Sequence, residues 1–94
     1  MVDQPMFHVV LECEGLHSSD GPQAAVDITE EFTHRPWQKN VSCTWDGHIL
    51  RLEVDNDFDP KGLASRDEFS DVIVACVVDA EYSDLRVVSV TEAN

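Results

Sequence analysis

Three carboxylates at alternate positions, Asp55, Asp57 and Asp59, resemble the first half of a calcium-binding loop. Ca²⁺ prefers oxygen ligands, and alternate spacing lets successive side chains reach one ion. The segment does not continue that pattern. Pro60 stands where the sharp turn needs glycine, and Arg66 stands where a bidentate glutamate is needed. We favour a solvated acidic loop here and keep a cation site on the three carboxylates as an alternative.

Cysteine and histidine residues could supply zinc ligands or a nucleophile. Cys13 with His17, and Cys43 with His48, would give two thiolates and two imidazoles, but these spacings are not those of a tight C-x-x-C knuckle. The cysteines fall on strand faces predicted to be buried, where Cys usually acts as a small hydrophobe. A reactive Cys43–His48 pair would need an electropositive setting. Zinc binding therefore stays an alternative, and no catalytic residue is assigned.

The first half of the chain predicts a strand followed by a helix. Apolar residues alternate with other residues over Phe7–Cys13, as in a half-buried strand. Asp20 is placed to cap a helix with Pro22 in its first turn. Apolar residues then recur at helical spacing until Arg35, which precedes a proline and so disfavours helical geometry.

The middle of the chain predicts a hairpin. Asp46-Gly47 separates two alternating runs, and Asp-Gly is typical of a two-residue turn in which both positions have positive φ. That turn predicts one apolar sheet face made of the cross-strand pairs Trp45–His48, Cys43–Leu50 and Val41–Leu52.

A second helix and a last strand are predicted to follow. Ser65 and Glu68 have the spacing of a capping box, so a helix should begin at Ser65. The β-branched run 72–78 could also form a buried strand, but the cap and the length favour a helix. Val74 and Val78 would then lie outside its buried stripe. Leu85–Val90 is predicted to be a short strand.

The predicted order is strand, helix, hairpin, helix, strand. Two helices covering one face of an antiparallel sheet, with right-handed crossovers, give an α+β ferredoxin-like βαββαβ sandwich. Residues 1–94 are predicted to form one such domain. The other sheet face would be open and of mixed polarity; its predicted members are His8, Val10, Thr44, Ile49, Arg51 and Val88. His8 and His34 are interpreted as plain surface histidines.

The charge composition indicates the environment to which the protein is adapted and the kinds of partner that it disfavours. Nineteen acids against six bases give a formal net charge of −13, and only two of the bases are Lys. Short carboxylates and few lysines are typical of a salt-adapted protein. This balance argues against direct binding to nucleic acid or to anionic membranes. Three cysteines and no signal-peptide pattern at Met1–Met6 predict a reducing, cytoplasmic location.

The hairpin and the second helix resemble the small dimerisation subunit of the KEOPS complex, which makes threonylcarbamoyl-adenosine in tRNA. That family has Gly-x-Ile-Leu-like residues in its hairpin, which Gly47–Leu50 match. Its second helix opens with Arg-x-Ser-x-x-Asn and an Asp soon after. Ser65 and Asp71 fall on the Ser and the Asp, whereas Glu68 replaces the Asn and Leu63 the Arg. The resemblance implies a non-catalytic subunit that dimerises and docks a kinase-like partner.

The sequence as a whole predicts a non-catalytic protein-interaction or regulatory domain of a salt-adapted cytoplasm. No cofactor is predicted, and the partner is another protein or a second copy. The contacts are expected through the second helix or a sheet edge. The predicted interface residues are Val74, Val78, Ile49 and Arg51.

Overall fold

The computed structural model describes residues 5–93. Within them the chain forms β1 (Met6–Glu14), α1 (Gly21–Phe32), β2 (Lys39–Trp45), β3 (Ile49–Asn56), α2 (Leu63–Cys76) and β4 (Asp84–Ala93). Residues 1–4, which make up most of the segment considered for a signal peptide, lie outside the described residues. No helix within residues 5–93 is long and apolar enough to cross a membrane.

The four strands form one antiparallel sheet in the order β2-β3-β1-β4. β1 is central and pairs with both β3 and β4, so that Leu11 lies opposite Leu52 on one side and Val87 on the other. Both helices pack on the same sheet face. The predicted α+β ferredoxin-like βαββαβ sandwich is confirmed.

The core lies between the helices and the inner sheet face. Phe32 of α1 and Phe69 of α2 are fully buried in it, and each contributes about 1.5–3 kcal/mol through burial. Alternation puts every second residue of β1 and β3 into the same layer. The strand residues of this layer are Val9, Leu11, Cys13, Leu50, Leu52 and Val54.

Two glycines allow close approaches between the helix layer and the sheet. The indole of Trp45 packs directly on Gly21, where a Cβ would overlap the ring. Gly62 has φ of 75°, and a Cβ there would lie 2.9 Å from Cγ1 of Val87. Gly62 therefore combines a left-handed backbone with a contact that no larger residue could make.

The hairpin forms between the predicted strands, but the predicted register is wrong by two residues. Trp45 pairs with Leu50 and Cys43 with Leu52. The side chain of Asp46 accepts hydrogen bonds from the amides of His48 and Ile49, each 2.8 Å long. This Asx turn makes the loop longer than two residues. A shift of two keeps each side chain on its predicted face, because strand periodicity is two.

The helical interpretation of the run 72–78 is correct up to Cys76. α2 ends there, and Val77 is extended with φ of −110° and ψ of 120°. Asp79 then adopts a left-handed conformation with φ of 53°, which turns the chain toward β4. β4 is longer than predicted, since it extends from Asp84 to Ala93 and is paired with β1 along most of that length.

Candidate interaction surfaces

The open face of the sheet carries a row of ion pairs across three strands. Glu12 of β1 lies opposite Arg51 of β3 and Arg86 of β4. Its carboxylate accepts from Arg51 Nη2 at 2.6 Å and from Arg86 Nη2 at 2.9 Å. Arg86 also contacts Glu14 and Asp84. These bonds, chiefly those from Arg51, hold the pKa of Glu12 below its usual range.

His8 forms a second charged group on this face. Its Nδ1 lies 2.6 Å from Asp55 Oδ1 and its Nε2 lies 3.0 Å from Glu53 Oε1. Hydrogen bonding to Asp55, and then to Glu53, raises the pKa of His8. His8 was interpreted as a plain surface histidine. That interpretation is incomplete, because the ring links two carboxylates of the neighbouring strand.

The predicted interface residues Ile49 and Arg51 border a shallow hollow of about 330 Å³ on the same face, with Thr44, Asp46 and Glu53. Ile49 is half-buried, and Arg51 is held by Glu12. A guanidinium already in two hydrogen bonds with one carboxylate is a weak anchor for a partner, because binding would have to replace those bonds. Both arginines of this row are therefore already engaged with carboxylates of the same face.

Helix α2 begins in a buried polar cluster, and the predicted capping box of Ser65 and Glu68 is wrong. The helix starts at Leu63, and the carboxylate of Asp59 accepts from the amides of Ala64 and Ser65 at 3.2 and 2.7 Å. Asp59 thus does the capping from the preceding loop, because it reaches the free amides of the first turn.

Ser65 and Glu68 serve this cluster in another way. The Ser65 hydroxyl accepts from Gln38 and Asn56 at 3.2 and 3.1 Å, and all three residues are buried. The Glu68 carboxylate accepts from Trp37 Nε1 at 2.9 Å and lies 3.1 Å from Arg35 Nε. The cluster therefore ties the loop before β2 to the first turns of α2.

The structure does not bring the three acidic-loop carboxylates together. Asp55 accepts from Asn40 and contacts His8, Asp59 caps α2, and Asp57 is exposed. Within residues 5–93 no three His, Cys, Asp or Glu side chains stand close enough to hold a metal ion. Asp55 and Asp59 are engaged in separate structural contacts, so the geometry does not favour the cation-site alternative.

Burial disfavours the thiolate form of the cysteine side chains. Burial raises the pKa of Cys13 to about 11 and that of Cys43 to about 12. Both thiols are therefore protonated at neutral pH, whereas a nucleophilic cysteine reacts as the thiolate. Cys13 is buried in the core, Cys43 and Cys76 are partly buried against it, and all three are free thiols.

The predicted interface residues on α2 are exposed but isolated. Val74 is 63% exposed, and Val78 is 87% exposed in the turn after the helix. Asp67 and Asp71 occupy the same outward face between Leu63 and Val74. The outward face of α2 is thus apolar at its two ends and acidic in the middle, which is a poor match for an apolar partner surface.

The outer edge of β4 is one of the two edges of the sheet. β4 is the last strand of the sheet, and no other strand within residues 5–93 pairs with its outer edge. The stretch Val87–Thr91 contains no charge, no Pro and no Gly. A bulge in the pairing with β1 makes Val88 the extra residue, and its side chain is 47% exposed.

The opposite edge of the sheet is better protected. β2 begins at Lys39, and its ladder with β3 is interrupted between Lys39 and Ser42. Asn40 has φ of 52° at that interruption. Lysines and irregularities of this kind guard natural edge strands against pairing with other chains. Both edge strands contain an irregularity, but they differ in charge, since β2 begins with a lysine whereas Val87–Thr91 of β4 is uncharged.

The sequence analysis predicted contacts through a sheet edge but did not single out β4, which it predicted only as the short strand Leu85–Val90. The signal was present in the Val-Val-Ser-Val-Thr run, which is β-branched and uncharged. Its location at an edge depends on the strand order, which no local pattern reveals.

No protein-family model matches the chain, and neither a curated protein nor a solved structure matches it at a significant level.

Proposed function

We propose that this protein is a non-catalytic, dimerising interaction domain whose β4 edge pairs with β4 of a second copy. The observation that carries the proposal is the free edge of β4. Unpaired N–H and C=O groups in a row are a template for another strand. Antiparallel pairing of two such edges would extend the sheet from four strands to eight and keep the helices of both copies on one side.

The uncharged stretch matters because the chain carries a net charge of −13. Two copies repel each other, and pairing through Val87–Thr91 brings no charged side chains opposite one another at the centre of the contact. At molar salt the Debye length is ~3 Å, so the remaining repulsion is screened. The bulge at Val88 narrows the choice of partner strand, since bulges discourage indiscriminate pairing.

The non-catalytic part of the proposal rests on the chemistry of the polar residues. The pKa values of the three thiols are raised by burial, and the buried polar side chains Gln38, Asn56, Asp59 and Ser65 are hydrogen-bonded to each other or to backbone amides. Groups held in this way stabilise loops and helix ends. They are not aimed at a substrate cavity.

The resemblance to the KEOPS dimerisation subunit also supports a non-catalytic, dimerising domain. It further suggests that this domain is a subunit of a tRNA-modification assembly. That family ends after its second helix, which would leave the β1 edge free. In this chain β4 covers that edge from Met6 to Glu14. Any dimer contact at this side of the sheet must therefore use β4. Affinity purification from the host in molar salt tests the extension, and recovery of a kinase-like tRNA-modification subunit is the expected result.

The test of the dimer compares one substitution at three exposed valines. Val88→Lys lies on the β4 edge, Val74→Lys on α2, and Val26→Lys on α1, where Val26 is 60% exposed. Light scattering after size exclusion in molar KCl should give about twice 10.5 kDa for the wild type. A Lys on an edge strand opposes pairing, so Val88→Lys alone should give the monomer mass.

Three results would contradict the proposal. A wild-type monomer at every concentration would exclude the dimer, and dissociation by Val74→Lys alone would move the contact to α2. Dissociation by all three variants would mean that the effect is not specific to the β4 edge, since each Lys makes the chain less negative and by itself reduces repulsion between copies. Circular dichroism of each variant establishes that it is folded.

A further inference from the structure

We propose that a groove between the start of α1 and the end of α2 binds an arginine side chain of a basic partner segment. The groove has a volume of about 160 Å³. Its floor is apolar, and two carboxylates lie at its rim. The lining residues used below are Ala24, Cys76, Val77, Val78, Asp20 and Asp27.

The apolar part of the groove suits the stem of a long side chain. Ala24 and Val77 are buried at the floor, and Val78 is 87% exposed beside them. A valine this exposed in a turn has no packing role in the monomer. The methylene groups of Arg or Lys can cover such a surface while the charged head stays at the rim.

The rim supplies negative charge that the fold does not use fully. Asp20 is the N-cap residue of α1, yet its side chain makes no capping hydrogen bond. Asp27 accepts only an exposed hydrogen bond of 2.9 Å from Gln23. The amino end of α1 and the carboxyl end of α2 meet here with opposite partial charges. These partial charges oppose each other, so the net negative charge at the groove comes from the carboxylates of Asp20 and Asp27.

Charge is also distributed unevenly along the molecule. The loops at this end, residues 15–20, 46–48 and 77–83, contain four acids and no Lys or Arg. Apart from the two arginines of the open sheet face, the basic residues of the chain lie at the other end; these are Arg35, Lys39, Lys61 and Arg66. An approaching cation is thus attracted to the groove end.

Arginine is favoured over lysine as the occupant. Its planar guanidinium is more weakly hydrated than an ammonium and can make two parallel hydrogen bonds to a single carboxylate. The groove is independent of the β4 edge, because its residues come from the loop before α1, α1 itself and the end of α2. It can therefore be occupied in the monomer and in a dimer.

The experiment uses the peptide acetyl-Arg-Pro-Arg-Pro-amide as probe. Its two Arg residues keep N–H donors on one edge of an extended strand, so strand addition at β4 would appear as shifts within Val87–Thr91 rather than at the groove. ¹⁵N–¹H NMR titrations are run on the full chain at the lowest KCl concentration that preserves its circular dichroism spectrum. Shifts are expected at residues 19–28 and 76–79, and the corresponding Glu-Pro peptide should cause none.

Matched double variants decide whether the groove carboxylates are responsible. Asp20→Asn with Asp27→Asn should weaken binding by about tenfold, as the loss of two exposed ion pairs would give. Asp67→Asn with Asp71→Asn removes the same charge from the outer face of α2 and should leave affinity within about twofold. Val78→Ser, a substitution in an exposed turn, should also weaken binding.

Three outcomes would overturn the proposal. They are equal weakening by both double variants, shifts spread over the whole acidic surface, and no shifts at all while the protein is folded. None of them bears on the β4 dimer, which is measured by mass.

Discussion

The carboxylate of Asp59 accepts a 2.7 Å hydrogen bond from the backbone amide of Ser65, six residues further along the chain. A second bond, from Ala64, makes Asp59 the cap of α2. The same loop is held at its start by the side chain of Asn56, which accepts from the amides of Phe58 and Asp59. The turn between β3 and α2 is therefore fixed at both ends by side-chain acceptors.

Removal of this cap should destabilise the protein. Asp59→Ala leaves two amides of the first helical turn without acceptors, and a lost N-terminal cap costs about 0.5–2 kcal/mol. Chemical denaturation measures the change in free energy of unfolding. Asp57→Ala, in the same loop but exposed, is the control and should change stability little. Equal effects of the two variants would contradict the assigned role of Asp59.

The contact between Trp45 and Gly21 should make position 21 intolerant of a side chain. Gly21→Ala places a Cβ inside the indole ring unless the packing shifts, and overpacking costs about 1–3 kcal/mol. In the background of Trp45→Leu the cost should fall, because the indole is gone. Thermal unfolding of the four proteins gives the coupling between the two positions. An unchanged cost in the Trp45→Leu background would show that the strain arises elsewhere.

His8 should stabilise the protein most at mildly acidic pH. Hydrogen bonding to Asp55 and Glu53 raises its folded pKa above the unfolded value of about 6.5. The contribution of His8 to the free energy of unfolding is then fully present below pH ~6.5, and it is lost as pH rises through the folded pKa. The stability difference between the wild type and His8→Gln should follow this course.

An NMR titration of the His8 ring tests the cause of that pH dependence. The ring should titrate above its ordinary value, and Asp55→Asn should bring the midpoint down. His34→Gln, at an exposed position, is the control for replacing a histidine ring by Gln. A midpoint at or below the ordinary value would contradict the assigned hydrogen bonds.

Dimerisation should strengthen with salt. Two chains of charge −13 repel over a Debye length of ~10 Å at about 0.1 M salt, and over only ~3 Å at molar salt. The dimer dissociation constant, measured by sedimentation, should therefore fall as KCl is raised. A constant that rises with KCl would mean that ion pairs rather than backbone pairing hold the copies together.

Local patterns predicted the elements and their faces. The alternation over Phe7–Cys13 placed the right side chains in the core, and the helical spacing after Asp20 identified α1. The hairpin register was wrong because the side chain of Asp46 closes a longer turn, and a two-residue shift leaves the hydrophobic pattern unchanged. Pattern alone cannot distinguish two registers that expose the same faces.

Contacts between distant parts of the chain could not be predicted in the same way. Glu12 and Arg86 are 74 residues apart and meet only because β4 lies beside β1. Asp59 rather than Ser65 caps α2, because the loop between β3 and α2 brings the Asp59 carboxylate to the amides of Ala64 and Ser65. The edge position of the uncharged strand β4 likewise follows from the strand order and not from its own sequence.

Hydrogen exchange of the β4 amides tests the dimer most directly. The protein is compared at low and high concentration in molar KCl, with exchange of the amides resolved by NMR. Antiparallel pairing of β4 with β4 predicts that amides within Val87–Thr91 gain protection as the concentration rises, and that Val88→Lys abolishes the gain. Protection that is independent of concentration, or that rises in Val74–Val78 instead, would contradict the account.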